Sequence, residues 1–495
     1  MSLSGRHLLL GLVGSCLLAL FFVDLNAGGP DPWLTLRRIA QGLLTPSFHN
    51  PVELLRAAGL TLAFAFCGVA FGATIGLVLA PFYRLRRVRW PCIAIRALHE
   101  IFWALLLLNI TGLSPLTGVL AIGLPYTGIF AKVFSEYLDE ADARAEAALP
   151  QVASPLLRLL WVRLPASLPQ IRTYSLYRLE CGLRSSAVLG FIGLPTLGFH
   201  LESYFKQAYY AEAAAVFLIF LALILPLRHW VRWRLVPLFI GMSIWALAQV
   251  PFPPMGQGAV WRFLTDLVPA PARIEADWLP WLEKVLVDQA LPGAIATLSL
   301  SQIAFGGATV MAALSFPIIV PRVAGHIGAT LGHGILVILR STPEYMLAFV
   351  LLQILGPSML PAIIALALHN GAIIAHLLGR QSGDLTIRPD APRGLNFWAW
   401  ELFPRLTGNF WALCLYRWEI ILRESAIMGL LGITTLGFYV QANLQQLRID
   451  RALLLLAVTI LLTALLDSAS RALRRRMQAQ QVLRIEGTRG SATKA

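Results

Sequence analysis

The sequence predicts an all-α polytopic membrane protein built by tandem duplication, and three observations predict it. Hydrophobic residues make up 57% and charged residues 13% of the 495, with a mean hydropathy of +0.69. Several apolar runs reach the roughly 20 residues that a helix needs to cross a bilayer. These runs lack the alternation of barrel strands, so helices, which satisfy their own backbone in lipid, are the spanning elements. The third observation is a stretch that occurs twice, as YRLECGLRSSAVLGFIGLPTLGF at residues 177–199 and YRWEIILRESAIMGLLGITTLGF at residues 416–438. At a constant offset of 239, Tyr177, Arg178, Glu180, Arg184, Ser186, Gly190, Gly193, Thr196 and Gly198 meet Tyr416, Arg417, Glu419, Arg423, Ser425, Gly429, Gly432, Thr435 and Gly437. Ungapped identity at so many polar and glycine positions reads as an internal repeat, each copy one structural unit.

In order along the chain, residues 7–27 form a first apolar run behind Arg6 and His7. Its length and the lack of a small-residue cleavage pattern favour a retained helix over a signal peptide. Residues 28–53, with Pro30, Pro32, Trp33, Arg37 and Arg38, read as an outer interfacial segment holding a short amphipathic helix. A span at about 54–80 follows, and Arg84, Arg86, Arg87 and Arg89 mark the next loop as cytoplasmic. Spans at about 92–111 and 116–135, joined by a tight turn at Gly112–Pro115, lead to a long cytoplasmic loop at 136–170. The motif span, about 172–193, and a sixth at about 210–227 complete the first half, and Arg228, Arg232 and Arg234 again lie inside.

The second half repeats the plan, with spans near 235–252, 292–319, 333–355, 358–379, 409–431 and 450–469, an outer segment at 253–290 and a cytoplasmic loop at 380–408. About 12 transmembrane helices result, with both termini cytoplasmic; six per half lets the second half enter with the orientation of the first, a parallel repeat. The expected domains are residues 1–230, residues 231–476 and a polar, disordered tail at 477–495.

The net charge of +14 does not indicate nucleic acid, because most arginines sit in short loops beside apolar runs, where the positive-inside rule accounts for them. Cys16, Cys67, Cys92, Cys181 and Cys414 lie singly in or at the ends of apolar segments, without C-x-x-C spacing, and give no disulfide or metal pattern. No Walker A sequence occurs, so ATP hydrolysis is not performed by this chain.

The cytoplasmic segment from 146, EAALPQVASPLLRLLWVRLP, resembles the EAA loop of the permease subunits of binding-protein-dependent ABC importers. Glu146, Ala147, Ala148, Leu164 and Pro165 keep the family's spacing, while Val152 stands where the family has glycine. Tyr-Arg-x-Glu-x-x-x-Arg followed by Leu-Gly-Phe-x-Gly, together with Glu-x-x-Trp-Ala at Glu100–Ala104, resembles more narrowly the permeases of phosphonate and phosphite importers. The resemblance covers residues 54–200 and again 291–440. It implies a type I importer transmembrane domain occurring twice in one chain, so that this chain supplies both halves of a pathway in the bacterial inner membrane. It further implies an ABC ATPase dimer, which would bring ATP and magnesium, and a secreted substrate-binding protein delivering a small anionic substrate. Glu146, Ala147, Ala148, Leu164 and Pro165 would couple to the ATPase. In the second half Leu385-Thr386-Ile387 stand at the Glu-Ala-Ala place, but Phe403-Pro404 keeps the end of the motif.

On a helical wheel Tyr177, Glu180 and Arg184 fall on one stripe, as do Tyr416, Glu419 and Arg423, with Arg178 and Arg417 to the side. A lone arginine near mid-membrane costs at least about 2.5 kcal/mol, so each stripe should face protein or a water-filled cavity. Two roles are open: Glu180 with Arg184 and Glu419 with Arg423 neutralise each other and fix packing, or the arginines border the route of an anion. Glu100 and Glu344 form a second symmetric pair, expected to hold Arg96, Arg340 or a stripe arginine, or to stabilise the domain interface. Gly190, Gly193, Gly429 and Gly432 permit close helix approach or gating. The alternatives are an importer of a different small solute and a polytopic membrane enzyme acting on lipid, for which a surface His/Asp/Glu cluster would be wanted; His99, His333, His369 and His376 are scattered along the chain.

Overall fold

The computed structural model describes residues 5–29, 31–140, 154–253, 256–274, 277–388 and 390–492, the last fifteen of these as backbone only. Every regular element among them is a helix. Six are long and apolar enough to cross a membrane: Pro51–Phe82, Pro115–Asp139, Trp278–Ile319, Pro321–Ser341, Leu360–Asp384 and Ile449–Met477. Two bent pairs, Arg86–Ala97 with Glu100–Thr111 and Leu395–Leu431 with Leu436–Gln445, raise the number to as many as eight. Other expected spans are occupied by the shorter apolar helices Gly5–Leu20, Tyr210–Ile224, Trp233–Ala248 and Glu344–Leu355.

The structure departs from the sequence reading in three places. The run at 92–111 is broken by a 96° bend between Ala97 and Glu100, where the His99 imidazole accepts the Ile101 N–H and caps a new helix. The run at 333–355 breaks at Thr342, which is extended because it precedes Pro343. The last helix, Ile449–Ala492, runs on into the polar tail, where a disordered end was expected.

The chain divides into two compact units that cut across the repeat. One comprises Leu36–Glu275 and Asn443–Asp450; the other comprises Met1–Thr35, Ala276–Ala442 and Arg451–Ala495. The units therefore do not follow the expected boundary at residue 230, because each half's leading helix packs with the other half.

In the first unit, helix Pro51–Leu79 lies along Pro115–Asp139 through Gly68, Gly72 and Gly76, one per turn, whose missing side chains admit Ile122, Tyr126 and Phe130. Small residues at this spacing let helices approach in lipid, where no hydrophobic effect drives them together. Motif helix Leu164–Val188 packs on both, and helix Val236–Ala248 covers Pro51–Leu79, with Phe239 stacked on Phe66 at 5.3 Å.

In the second unit the same frame is made by Leu291–Ser315, Leu360–Gln381 and motif helix Phe403–Ser425. Gly5–Leu20 takes the place that Val236–Ala248 holds in the first unit. Its Leu8 and Leu12 enter the core, and its Ser15 hydroxyl accepts a hydrogen bond from Gln302 at 2.9 Å. The segment after it is tied down by Met359 N–H to Asp24 O at 3.1 Å and Gly28 N–H to Leu355 O at 2.9 Å.

The repeated glycines close both motif helices. Past Val188 the chain turns at Gly193, whose φ of 96° is left-handed, and returns as helix Leu197–Lys206; Gly432, at 84°, serves the second copy. The returning backbone runs so close that a Cβ at Gly190 would overlap Phe199 N, and one at Gly198 would overlap Ala187 O; Gly429 and Gly437 stand in the same way against Phe438 N and Ala426 O. The return is pinned by Leu197 N–H to Thr61 Oγ1 at 3.0 Å and Leu436 N–H to Thr297 Oγ1 at 2.9 Å.

Overpacking at such a crossing costs about 1–3 kcal/mol. Gly198→Ala and Gly437→Ala should each lower the thermal midpoint of the purified chain in detergent, whereas Gly59→Ala, where a Cβ meets nothing within 4 Å, should not. Equal midpoints for Gly198→Ala and Gly59→Ala would count against the crossing.

Candidate functional site

The motif helices begin alike. A π-helical turn at Leu159–Arg163 precedes Leu164-Pro165, and another at Trp398–Leu402 precedes Phe403-Pro404. Proline has no N–H and its ring strikes the carbonyl four residues back, so a widened turn just before it removes the clash. Each turn presents a tryptophan at the same repeat position, Trp161 and Trp400, 75% and 79% exposed. The sequence reading passed over both, although the offset of 239 aligns them.

Glu146, Ala147 and Ala148 lie outside the described residues. At the base of their loop is a pocket of about 760 Å³ lined by Phe82, Arg84, Asp139, Leu156, Arg158 and Arg163. Asp139 pairs there with Arg84 at 2.9 Å and Arg163 at 4.0 Å. The corresponding loop of the second half is fastened to its own unit. Buried Glu401 receives Arg388 at 3.0 Å and Arg405 at 2.8 Å, Arg405 also donates to Thr386 O, and Leu385, Ile387 and Phe403 pack on the core.

Arg178 and Arg417, at equivalent positions of the two motif helices, meet different groups. Arg178 lies among three tyrosine rings, its guanidinium 5.6 Å from the centre of Tyr126, 5.4 Å from Tyr174 and 5.9 Å from Tyr177, and its Nε donates to the Tyr174 hydroxyl at 2.9 Å. Ring faces are negative, so this cage stabilises the half-buried cation. Arg417 instead donates to Asn370 Oδ1 at 3.3 Å, and Asn370 donates to Glu424 at 2.7 Å.

Arg423 pairs with Glu419 one turn earlier at 2.7 Å. In the first half buried Glu180 reaches Arg228 at 3.6 Å, and Arg184 donates to Cys181 Sγ at 3.4 Å. Tyr177 and Tyr416 are the exposed members of their stripes.

Glu100 accepts a short hydrogen bond from Ser185 and stands 3.3 Å from His99 Nε2. Glu344 stands 3.7 Å from His369 Nε2. The sequence reading named both glutamates, but it did not connect Tyr126, Tyr174, Ser185, His369, Asn370 or Glu424 to them or to the motif arginines. Tyr126 in the first unit and His369 and Asn370 in the second stand on helices other than the motif helices, so no spacing within one helix reveals them, whereas Tyr174, Ser185 and Glu424 lie on the motif helices themselves.

Two relatives place the sequence among known proteins. The phosphite transport system permease protein PtxC of Stutzerimonas stutzeri is 30% identical over 200 residues, covering 38% of this chain and 73% of that protein. The phosphate-import permease protein PhnE of Mycolicibacterium smegmatis is 24% identical over 489 residues, covering 89% of this chain and 88% of that protein. No family model matches, and no solved structure matches. The relatives are named as transport permeases, which removes the membrane-enzyme alternative. A repeated motif, an all-helical membrane architecture and these relatives lead to one conclusion: the chain belongs to the permease family of phosphite and phosphonate transport systems.

Proposed function

We propose that this chain forms the translocation pathway of an ABC importer for a small phosphorus oxyanion in the bacterial inner membrane, supplying both transmembrane halves itself. The observation that carries the reading is the pairing of two lengths. PtxC covers a little over a third of this chain with most of its own, whereas PhnE runs along nearly all of it. A separate ATPase dimer would supply ATP and magnesium, and a substrate-binding protein would deliver the anion. Native mass of the purified complex should then contain one permease chain, two ATPase subunits and one binding protein; two permease chains would overturn the assignment.

An oxyanion leaving water needs compensating charge from groups that stay protonated, and arginine offers fixed bidentate donors. Arg184 and Arg423 take that role here. Glu419, at 2.7 Å, holds Arg423 while no anion is present. Arg178 and Arg417 set the local positive field from their tyrosine and asparagine supports.

Arg184→Gln and Arg423→Gln should each lower uptake of phosphite, phosphate or methylphosphonate into proteoliposomes about tenfold, a loss of ~1.4 kcal/mol, and the double variant should fall to background. ATPase activity without substrate should persist. If a variant with residues 419 and 423 exchanged takes up the anion at the wild-type rate, the arginines are packing elements.

Coupling is assigned to the loop at 136–170, with Glu146, Ala147 and Ala148 on the docking segment and Trp161 at its exit. Glu146→Lys and Trp161→Ala should reduce transport-coupled ATPase activity severalfold while the chain stays folded. Leu385 packs on its own unit's core, so the second-half probe is the exposed Trp400. Trp400→Ala should do less than Trp161→Ala if the loops couple unequally; equal losses would show that they couple alike.

A further inference from the structure

We propose that residues 82–90, where helix Pro51–Leu79 passes into helix Arg86–Ala97, form a docking surface for the headgroups of anionic phospholipids. Arg84, Arg86, Arg87 and Arg89 all stand exposed there, and no aspartate or glutamate occurs in the sequence between Glu53 and Glu100. Arg84 pairs with Asp139 at 2.9 Å. Among the described residues the side chains of Arg86, Arg87 and Arg89 make no ion pair and no hydrogen bond.

Apolar side chains are exposed between these arginines. Phe82, Leu85 and Trp90 are 52%, 57% and 65% exposed. Phe82 ends a helical run long and apolar enough to span, Pro51–Phe82, so the surface begins at the level where hydrocarbon gives way to phosphate. Exposed aromatic and aliphatic groups interleaved with arginine suit that boundary: the apolar groups enter the acyl region, and each guanidinium presents a planar fork of donors to phosphate oxygens. Local packing holds the segment in place. Helix Arg86–Ala97 lies at 96° to the helix that follows it, Glu100–Thr111, and Trp103 Nε1 donates across the bend to Ile95 O at 3.1 Å. It is pressed against helix Pro115–Asp139, where a Cβ at Gly128 would overlap Cys92 O.

Neither helix stability nor topology accounts for these arginines. Arg86, Arg87 and Arg89 stand at the start of their helix, where the positive end of the dipole disfavours cations, and the first turn holds no acidic residue. The positive-inside bias orients a span, but the second repeat meets the same need with fewer charges. Aligned on Glu100 and Glu344, Gly328, Thr330, Leu331 and His333 stand at the places of Arg84, Arg86, Arg87 and Arg89. Helix Pro321–Ser341 has Arg322 and Arg340 as its arginines, and Arg322 lies over the Phe397 ring at 5.8 Å. The basic and apolar surface therefore belongs to the first repeat.

The full chain, purified in detergent, is titrated with phosphatidylglycerol or phosphatidylcholine, and retained lipid is counted by native mass spectrometry. Phosphatidylglycerol should be retained and phosphatidylcholine not, with retention falling as salt rises. The triple variant Arg86→Gln, Arg87→Gln, Arg89→Gln should weaken phosphatidylglycerol affinity by about fivefold per arginine removed. The same three positions changed to Lys should keep most of the affinity, and a charge-matched triple at exposed arginines elsewhere, Arg37→Gln, Arg38→Gln, Arg262→Gln, should leave it unchanged. Equal retention of the two lipids, undiminished affinity in the first Gln triple, or an equal loss in the charge-matched triple overturns the surface. A first Gln triple that keeps its lipid but no longer co-purifies with an ATPase subunit would reassign the arginines to an acidic protein partner and overturn it as well. The lipid count does not involve transport, so its failure and that of the importer assignment are separable.

Discussion

The structure depends on a backbone crossing that leaves no room for a side chain. At the end of each motif helix the chain turns back and runs against itself at Gly190 and Gly198, or at Gly429 and Gly437, and a threonine of the first long helix holds the returning strand of backbone. The crossing fixes the height at which each motif helix stops and its rotation about its own axis. The placement of Arg178, Glu180 and Arg184, and of Arg417, Glu419 and Arg423, follows from that anchoring. A helix in lipid has few other means of setting its register, because burial of one apolar side chain resembles burial of the next.

The two copies have kept this frame and diverged in the chemistry it carries. A guanidinium taken from water requires an aromatic face, a carboxylate or an amide. The first copy uses tyrosines around Arg178; the second uses Asn370 and Glu424 beside Arg417. Divergence at buried polar positions under a constant backbone means that the halves are equivalent as scaffolds and distinct as charge environments.

Much of the frame was legible in the sequence because repetition and hydropathy are carried by the chain itself. The glycines of the motif, the stripe positions and the helical class needed no partner to be recognised. Hydropathy does not say which helix lies against which, so Gly5–Leu20 and Val236–Ala248 could not be assigned to the units they join. Pro343 was visible but was read as lying within a span, although the residue before a proline is pushed out of the helical region. The neighbours of the motif arginines escaped notice for another reason: Tyr126, His369 and Asn370 are ordinary residues within apolar helices until a second helix brings a charge beside them.

The exchange of leading helices has a consequence for how the protein is made. Helix Gly5–Leu20 is synthesised about 270 residues before the helix it packs against, Leu291–Ser315, at a loop-closure cost that grows only slowly with that separation. In the folded chain its Leu9, Leu10, Leu17 and Leu18 remain turned outward. Neither unit is complete until the ribosome has passed the middle of the chain, so the joint between the repeats is a feature of the sequence and not a seam of the folded molecule.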